Sequence, residues 1–587
     1  MRVTTKVIQG NSIANINTNK VLQDKLNNQM ATEKKIVRPS DDPVVAIRAL
    51  RLRTNVSQVT QYYEKNVADA ESWMKVTEDS LTTVSSVITD MIEQCTKGSS
   101  EKLTATDRDT ILDALKALRD EVYATGNADY AGRSVFTGYR TETTVKFTAA
   151  ESKKYEITEQ INNNVLDSVK YINSDFLNGI NDANYKNGTY TDSNGNPDIG
   201  YDTVVEQGIE EQEIYRIRLS YDNVDKDTVP TIKLYDPSVI TSDPKASVAE
   251  QYTASVLKVT PAIVSETAAK NPYQMMADFD KRIQSAIDAN PGAKLDEYGN
   301  LVDADDNPIK DADDNPINAY NAILIPETGE LLISKSLYER MMKLKDDVTT
   351  PTKDESQIQI TYNKSTWKKD DLKPEHYFAC TDMSNTDDAP NNYINYNTDY
   401  LSGIVEKQAI EYDVGLNQSI RINTTADEVF THAIGRDVDD LVNSMQAVID
   451  MDATVTRLTK MRDDLKQDAD YDTNYKILTN QIDAANKSLT FLKEKNQALF
   501  EGSITKMQKH LDKVNEATTN CGTREKKLDL IKNRLMSQKT NFETLESENE
   551  NVEITDVALQ LKGAELTYQA ALMSTSKILQ TSLMQYI

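Results

Sequence analysis

The sequence predicts an α+β multidomain chain. Its N- and C-terminal helices form a coiled coil and helical bundle around a β-rich insertion. Three observations carry this. Apolar residues recur at heptad spacing over 56–95, and helical periodicity returns from Val438 and runs to the end at Ile587. Between about 141 and 431 the pattern changes to short alternating stretches separated by turn residues. Helical ends enclosing such a middle belong together, and the middle is then the insertion. At 587 residues the chain exceeds the ~250–300 residues over which a single core grows.

Residues 1–36 form a diluted amphipathic segment. Leu22, Leu26 and Met30 are four apart, Ile13 and Ile16 lie upstream, and several Asn residues intervene. Alone it would be a marginal helix, so it needs a partner. Arg38-Pro-Ser-Asp-Asp-Pro43 is a break followed by a helix start. Pro39 drives Arg38 out of the α region. Asp42 is placed to cap, and Pro43 takes the first helical position, where a missing N–H costs nothing. The Asp41–Asp42 pair also meets the positive end of the helix dipole.

The following seam reads Val56, Thr60, Tyr63, Val67, Ala70, Met74, Thr77, Leu81, Val84, Ile88, Met91 and Cys95, in steps of three and four without a slip. Gly98 with Ser99-Ser100 ends it. Thr104-x-x-Asp107 is a capping box for a helix with Ile111, Leu115, Leu118 and Val122 on one face. Gly126, Gly132 and Gly138 then introduce β character at Ser134–Phe136 and Thr143–Phe147.

In the middle, 214–219 and 231–235 alternate as half-solvated strands, and Asn194-Gly-Asn-Pro and Tyr298-Gly-Asn are turns. Helices are expected at 274–288 and 337–345, with strand, turn and strand over 323–334; 236–250 and 383–398 resemble linkers. Two β-rich modules, one nested in the other, follow from this. After Val438 the stripes Ile504–Cys521 and Leu528–Leu545 step by three and four. Leu561, Tyr568, Leu572, Leu579 and Leu583 are spaced seven, four, seven, four, an 11-residue period that predicts a nearly straight helix.

The net charge of −27, from 93 acidic and 66 basic residues, argues against nucleic acid or an anionic membrane as partner. No apolar run is long enough to cross a bilayer. The N-terminus lacks the apolar core of a cleaved signal peptide, which by itself favours the cytoplasm. The three cysteines, Cys95, Cys380 and Cys521, form neither a disulfide framework nor a zinc motif; they read as small buried hydrophobes. Asp-Ala-Asp-Asp-Asn-Pro-Ile occurs at 303–309 and 311–317. Asp303, Asp305 and Asn307 match the first ligands of a calcium loop, but Pro308 stands where glycine is needed and Asp314 where a bidentate glutamate is needed. A duplicated acidic surface turn is the better reading. His376, His432 and His510 are not at metal spacing, and no nucleophile motif or phosphate loop is present, so neither catalysis nor a cofactor is expected. Trp73 is expected to be buried beside Met74, whereas Trp367 stands in a polar stretch with no evident role.

Arg38–Pro43 resembles the signature of the flagellar hook-associated protein 3 family of the flagellin-like superfamily; flagellins usually carry an Ala-containing version. The resemblance extends to Met1–Lys6, Ala68–Trp73, Thr77–Leu81, Gly132–Gly138, Tyr412–Gly415, Ala426–Phe430, Tyr568–Leu572 and Ile578–Gln580. It covers about 1–140 and 405–587. It implies a rod-like structural subunit, not an enzyme, with the insertion projecting outward. The expected domains are 1–36 with 555–587 (inner coiled coil), 37–140 with 432–554 (helical bundle), 141–235 with 386–431 (β-rich) and 236–385 (nested outer α+β insertion). The implied partners are hook-associated protein 1, flagellin, further copies of the chain in a ring, and an export chaperone on the C-terminal helix. The implied location is the extracellular flagellum, reached by type III export without a cleaved signal. Expected assembly residues are Leu22, Leu26, Arg38, Asp41, Asp42, Leu561, Tyr568, Leu572, Leu579 and Leu583. The alternatives are flagellin itself, a secreted adhesin binding glycans or calcium, and a cytoplasmic coiled-coil scaffold.

Overall fold

The computed structural model describes residues 5–100, 102–191, 197–235, 256–265, 271–296, 298–311, 314–343, 358–384, 393–402, 407–467 and 469–583. Its helices are α1 (Thr5–Thr32), α2 (Pro43–Gln61), α3 (Val67–Gly98), α4 (Ala105–Thr125), α5 (Pro272–Ala289), α6 (Lys335–Met342), α7 (Ala426–Val429), α8 (His432–Asp463), α9 (Tyr471–Glu550) and α10 (Ile554–Leu583). Helices lie at both ends of the sequence and the sheets lie between, the α+β class the sequence predicts. The chain divides into a smaller unit, residues 1–72, 411–422 and 523–587, and a larger one, 73–410 and 423–522.

In the smaller unit α1 packs along α10. Between α2 and α3 the chain makes one π-helical turn, Tyr62–Asn66. The expected unbroken seam from Val56 is therefore corrected. Before the π-turn Val59 is buried while Val56 and Thr60 are half-buried. From Val67 the seam runs as expected. The hairpin Glu411–Gly415/Gln418–Arg421 rests on the π-turn, where Asn66 Nδ2 donates to the Asp413 carbonyl (2.7 Å) and Tyr412 donates to Asp69. Along the helices, Lys532–Glu71 and Lys539–Glu64 are ion pairs, each at 2.6 Å.

In the larger unit Met74, Thr77, Leu81, Val84, Ile88, Met91 and Cys95 are all buried. Cys521 Sγ contacts the Met74 carbonyl at 3.6 Å and Ser85 donates to Asn515, so α3 and α9 run antiparallel here. Gly98 is the last residue of α3. A Cβ there would stand 2.1 Å from the Phe500 ring, so glycine admits that ring. The Thr104/Asp107 capping box forms as predicted, and α4 packs on α8.

Among the described residues the two largest sheets make most of the β-rich part. One has strands in the order Ile394–Tyr396, Ala379–Asp382, Glu151–Ile161, Ile358–Trp367, Thr231–Tyr235 and Val256–Val259. The other has Ala262–Ile263, Ala322–Ile325, Glu330–Ile333, Glu211–Arg218 and Asp167–Ile172. Each sheet takes strands from both sides of residue 236. The expected nested modules therefore interleave, because Ile358–Trp367 pairs with both Glu151–Ile161 and Thr231–Tyr235. Part of the expected linker at 383–398 is a strand, Ile394–Tyr396; 236–250 lies outside the described residues.

Side chains of both sheets share one core, including Ile157, Ile217, Leu324, Ile360 and Trp367. Trp367 is thus a core residue. It stacks on Phe147 with centroids 4.9 Å apart, and its Nε1–H donates to the Lys153 carbonyl at 2.7 Å. A bulge between Lys364 and Thr366 and the charges in its strand hid this in the sequence. Helix α5 covers the opposite face of the second sheet through Met276 and Ala277, and the 172–209 excursion packs on α8 and α9 through Phe176, Leu177, Val448 and Leu478.

Arg216 and Arg218 also tie this sheet to α8. Arg216 pairs with Glu330 and, at 2.6 Å, with Asp440; Arg218 reaches Asp437 at 2.8 Å. His510 lies 3.0 Å from Asp437. Burial alone would raise the Asp437 carboxyl, but His510, Arg218 and Lys506 outweigh it and hold it well below the carboxylate range.

Candidate assembly surface

The turn after α1 is built by the two aspartates of the Arg38–Pro43 motif. Asp41 Oδ2 accepts the backbone N–H of Arg38 (2.9 Å) and of Val37 (3.2 Å). These bonds lower its pKa. Asp42 Oδ1 accepts from Val44 N (3.0 Å) and Val45 N (3.2 Å), the predicted N-cap of α2, with Pro43 first in the helix.

Sequence reasoning missed the residue that fastens this turn. Glu550, at the end of α9, is buried. It accepts from Arg53 Nε at 2.6 Å and pairs with Lys34 Nζ at 3.3 Å. The hydrogen bond from Arg53, aided by Lys34, holds its carboxyl below the usual range. Lys35 N donates to the Glu550 carbonyl and Val552 N to that of Glu33, so the segment after α1 and the segment before α10 are joined by a short antiparallel bridge. Glutamate in a charged helical tail gives no sign of this. Its partners lie some five hundred residues away in sequence.

The α1–α10 pair has a thin apolar seam. Leu26, Val557 and Ala564 are buried together, with Leu561 and Val552 against them. The rest of the α1 seam is polar: Gln9, Ser12, Asn19 and Gln23 are half-buried, with Ile16 between them. On α10 the covered face is Val557, Leu561, Ala564, Tyr568, Ala571 and Thr575, stepping by four and three. This corrects the 11-residue stripe. Leu561 and Tyr568 lie on the covered face, but Leu572 is 42% exposed, because the heptad step from Ala564 selects Ala571. Leu22, expected at the same interface, is 44% exposed. The side chains of Leu579 and Leu583 lie outside the described residues.

A second apolar face remains uncovered. Leu559, Leu566 and Met573 recur every seven residues on α10 and are each more than 60% exposed. Val7 and Val21 on α1, and Val44, Ile47 and Leu50 just after the motif turn, are also exposed. Single exposed apolar residues are ordinary, but regular rows of them mark surfaces that dock.

The cysteines and two of the histidines are enclosed. Cys95, Cys380 and Cys521 are buried; desolvation pushes the Cys95 thiol up to about 12. Desolvation pushes His376 and His432 down to about 3. Among the described residues no group of three or more acidic, His or Cys side chains is placed to hold a metal ion, and no helix is long and apolar enough to cross a membrane. The repeats at 303–317 are turns of one form. Asp303 Oδ1 accepts the amides of Asp305 and Asn307, and Asp311 Oδ1 that of Asn315. Asp306 and Asp314 take positive φ, as Gly299 does in a third such turn. The lead aspartates of both repeats are thus engaged by their own backbone.

Residues 3–141 match the family described as the bacterial flagellin N-terminal helical region. The chain is 32% identical over 146 residues to flagellar hook-associated protein 3 of Escherichia coli strain K12, covering 24% of this chain and 45% of that one. It is 29% identical over 143 residues to the protein of that name from Salmonella typhimurium, with the same coverages of 24% and 45%. The chain thus spans about half the length of the curated relatives it matches. A solved hook-associated protein 3 from Legionella pneumophila aligns over 85% of this chain and 97% of that one at 9% identity, with a TM-score of 0.25, too loose a superposition to carry an argument.

Proposed function

We propose that this chain is a structural subunit of the bacterial flagellum, seated at the hook–filament junction between hook-associated protein 1 and flagellin. The observation that carries the reading is the similarity to hook-associated protein 3, together with the flagellin-type match over 3–141. The uncovered rows on α1, α2 and α10 support it, since a subunit that works by packing keeps apolar faces for its neighbours. On this reading copies form a ring. The inner domain is 1–36 with 555–587. Leu22, Leu572, Leu579 and Leu583 face neighbouring copies, whereas Leu26, Leu561 and Tyr568 close α1 on α10. Arg38, Asp41 and Asp42 set the turn that presents α2. The subunit leaves the cell by type III export without a cleaved signal, and the export chaperone holds α10 beforehand.

Immunogold labelling of isolated hook–filaments tests this. One labelled position per filament, at its base, is expected. Label along the filament, or none, overturns the reading. A second reading, flagellin, is favoured by the description of the matched family. It requires that purified chain elongate filament seeds, whereas a junction subunit adds in limited copies and stops.

A further inference from the structure

Strand Ile358–Trp367 buries every second residue: Ile358, Ile360 and Tyr362, and then Lys364. A lysine thus occupies a core position between two sheets, with a fully enclosed side chain. Its Nζ lies 5.2 Å from the centroid of the buried Trp367 ring. Two carboxylates stand near it: Asp222 Oδ1 at 3.4 Å and Asp371 Oδ2 at 3.9 Å. Both exceed the ~2.7–2.9 Å of a well-made buried ion pair. The closest oxygen is instead a neutral one, the Asp222 backbone carbonyl. Asp222 follows strand Glu211–Arg218, and Asp371 lies in the turn after Lys364. Asp371 Oδ2 also accepts the Lys368 amide, and the Lys368 ammonium pairs with Asp222 Oδ2.

We propose that Lys364 and Asp222 condense to an intramolecular amide, covalently joining the two sheets. Lys364 passes a proton to Asp371, and the free amine attacks Asp222 Cγ. The new C–N bond places negative charge on the carboxyl oxygen that faces Lys368, whose ammonium stabilises it. The nitrogen passes a second proton to the departing oxygen, and Asp371 returns the first to that same oxygen. The C–O bond breaks and one water leaves. An ammonium and a carboxylate become an amide and water, so atoms and charge balance without a co-reactant. Two features favour the step. The fold holds amine and carboxyl together, which raises their effective concentration by orders of magnitude. Burial also favours the first proton transfer, since desolvation lowers Lys364 and raises Asp371, while Lys368 and Lys364 hold Asp222 low.

Intact-mass and tryptic mass spectrometry of the folded full-length chain decide it. The expected mass is one water below that of the sequence, with the Asp222 peptide linked to the Lys364 peptide. In Asp222→Asn the linked product should lose ammonia instead of water. In Asp371→Ala, checked for folding by circular dichroism, the linkage should be absent. The full sequence mass in folded wild-type chain, with Lys364 in an unlinked peptide after prolonged incubation, overturns the proposal whatever the variants do. Linkage persisting in Asp371→Ala overturns the role of Asp371.

Discussion

The two units solve opposite packing problems. The larger unit turns its apolar side chains inward: two interleaved sheets share a core, one helix covers the outer face of a sheet, and buried arginines meet buried carboxylates. The smaller unit encloses little between α1 and α10, Leu26, Val557 and Ala564, while rows of leucine and valine face outward. The contrast separates two uses of hydrocarbon: one stabilises the chain by itself, the other is kept for contacts with something else.

The largest expected break is a deletion. Removing 236–385 takes out Ile358–Trp367 and the 322–333 hairpin, strands at the centre of both sheets. The larger unit should lose cooperative melting altogether. Replacing 294–318 with a short Gly-Ser linker should keep the melt, because these turns bond among themselves: Leu301, Ile309 and Ile317 exchange backbone hydrogen bonds in a ring. Equal damage from both deletions would contradict the interleaved topology.

Acid should separate the units next. All three histidines lie in the larger one. His376 and His432 are held neutral, at about 3 against an ordinary 6.5. Below about pH 6.5 the unfolded state binds more protons, so stability falls as pH falls towards 3, by up to about 1.4 kcal/mol per pH unit for each histidine. Hydrogen exchange followed from pH 7 to 4 should show protection falling in the sheets before α1 and α10. The reverse order would contradict this.

Side-chain truncation sharpens the contrast within the smaller unit. Leu26→Ala should cost about 2–5 kcal/mol of the α1–α10 pairing and let protease trim α1. Leu566→Ala should change monomer stability by no more than about 0.5 kcal/mol yet weaken assembly. If Leu566→Ala unzips the monomer, the outward row is not a reserved surface. The smallest effect is expected of Asp42→Ala, which removes the cap of α2 at about 1 kcal/mol; it should appear as faster amide exchange at Val44 and Val45 only.

Much of this was legible in the sequence wherever local rules decide. Asp42 caps, Thr104 and Asp107 form their box, and the seam from Val67 to Cys95 is buried, because capping and periodicity act within a few residues. Long-range pairing was not legible. Nothing near Glu550 announces Arg53 and Lys34, and strand alternation does not reveal which strand Ile358–Trp367 will join. At α10 the eye follows leucines, whereas the fold selects Ala564 and Ala571, whose small side chains let the helices approach. The π-turn at Tyr62–Asn66 was hidden because it lengthens a helix without interrupting its composition.

The polar seam of α1 has a thermal consequence. Separating two helices that enclose so few methyl groups exposes little hydrocarbon to water, so it should change the heat capacity only slightly. Opening of the pair then follows a nearly straight van 't Hoff line. The interleaved sheets, with their large enclosed core, follow a strongly curved one. Cooling, which weakens contacts made of hydrocarbon, should therefore leave α1 on α10 almost unaffected.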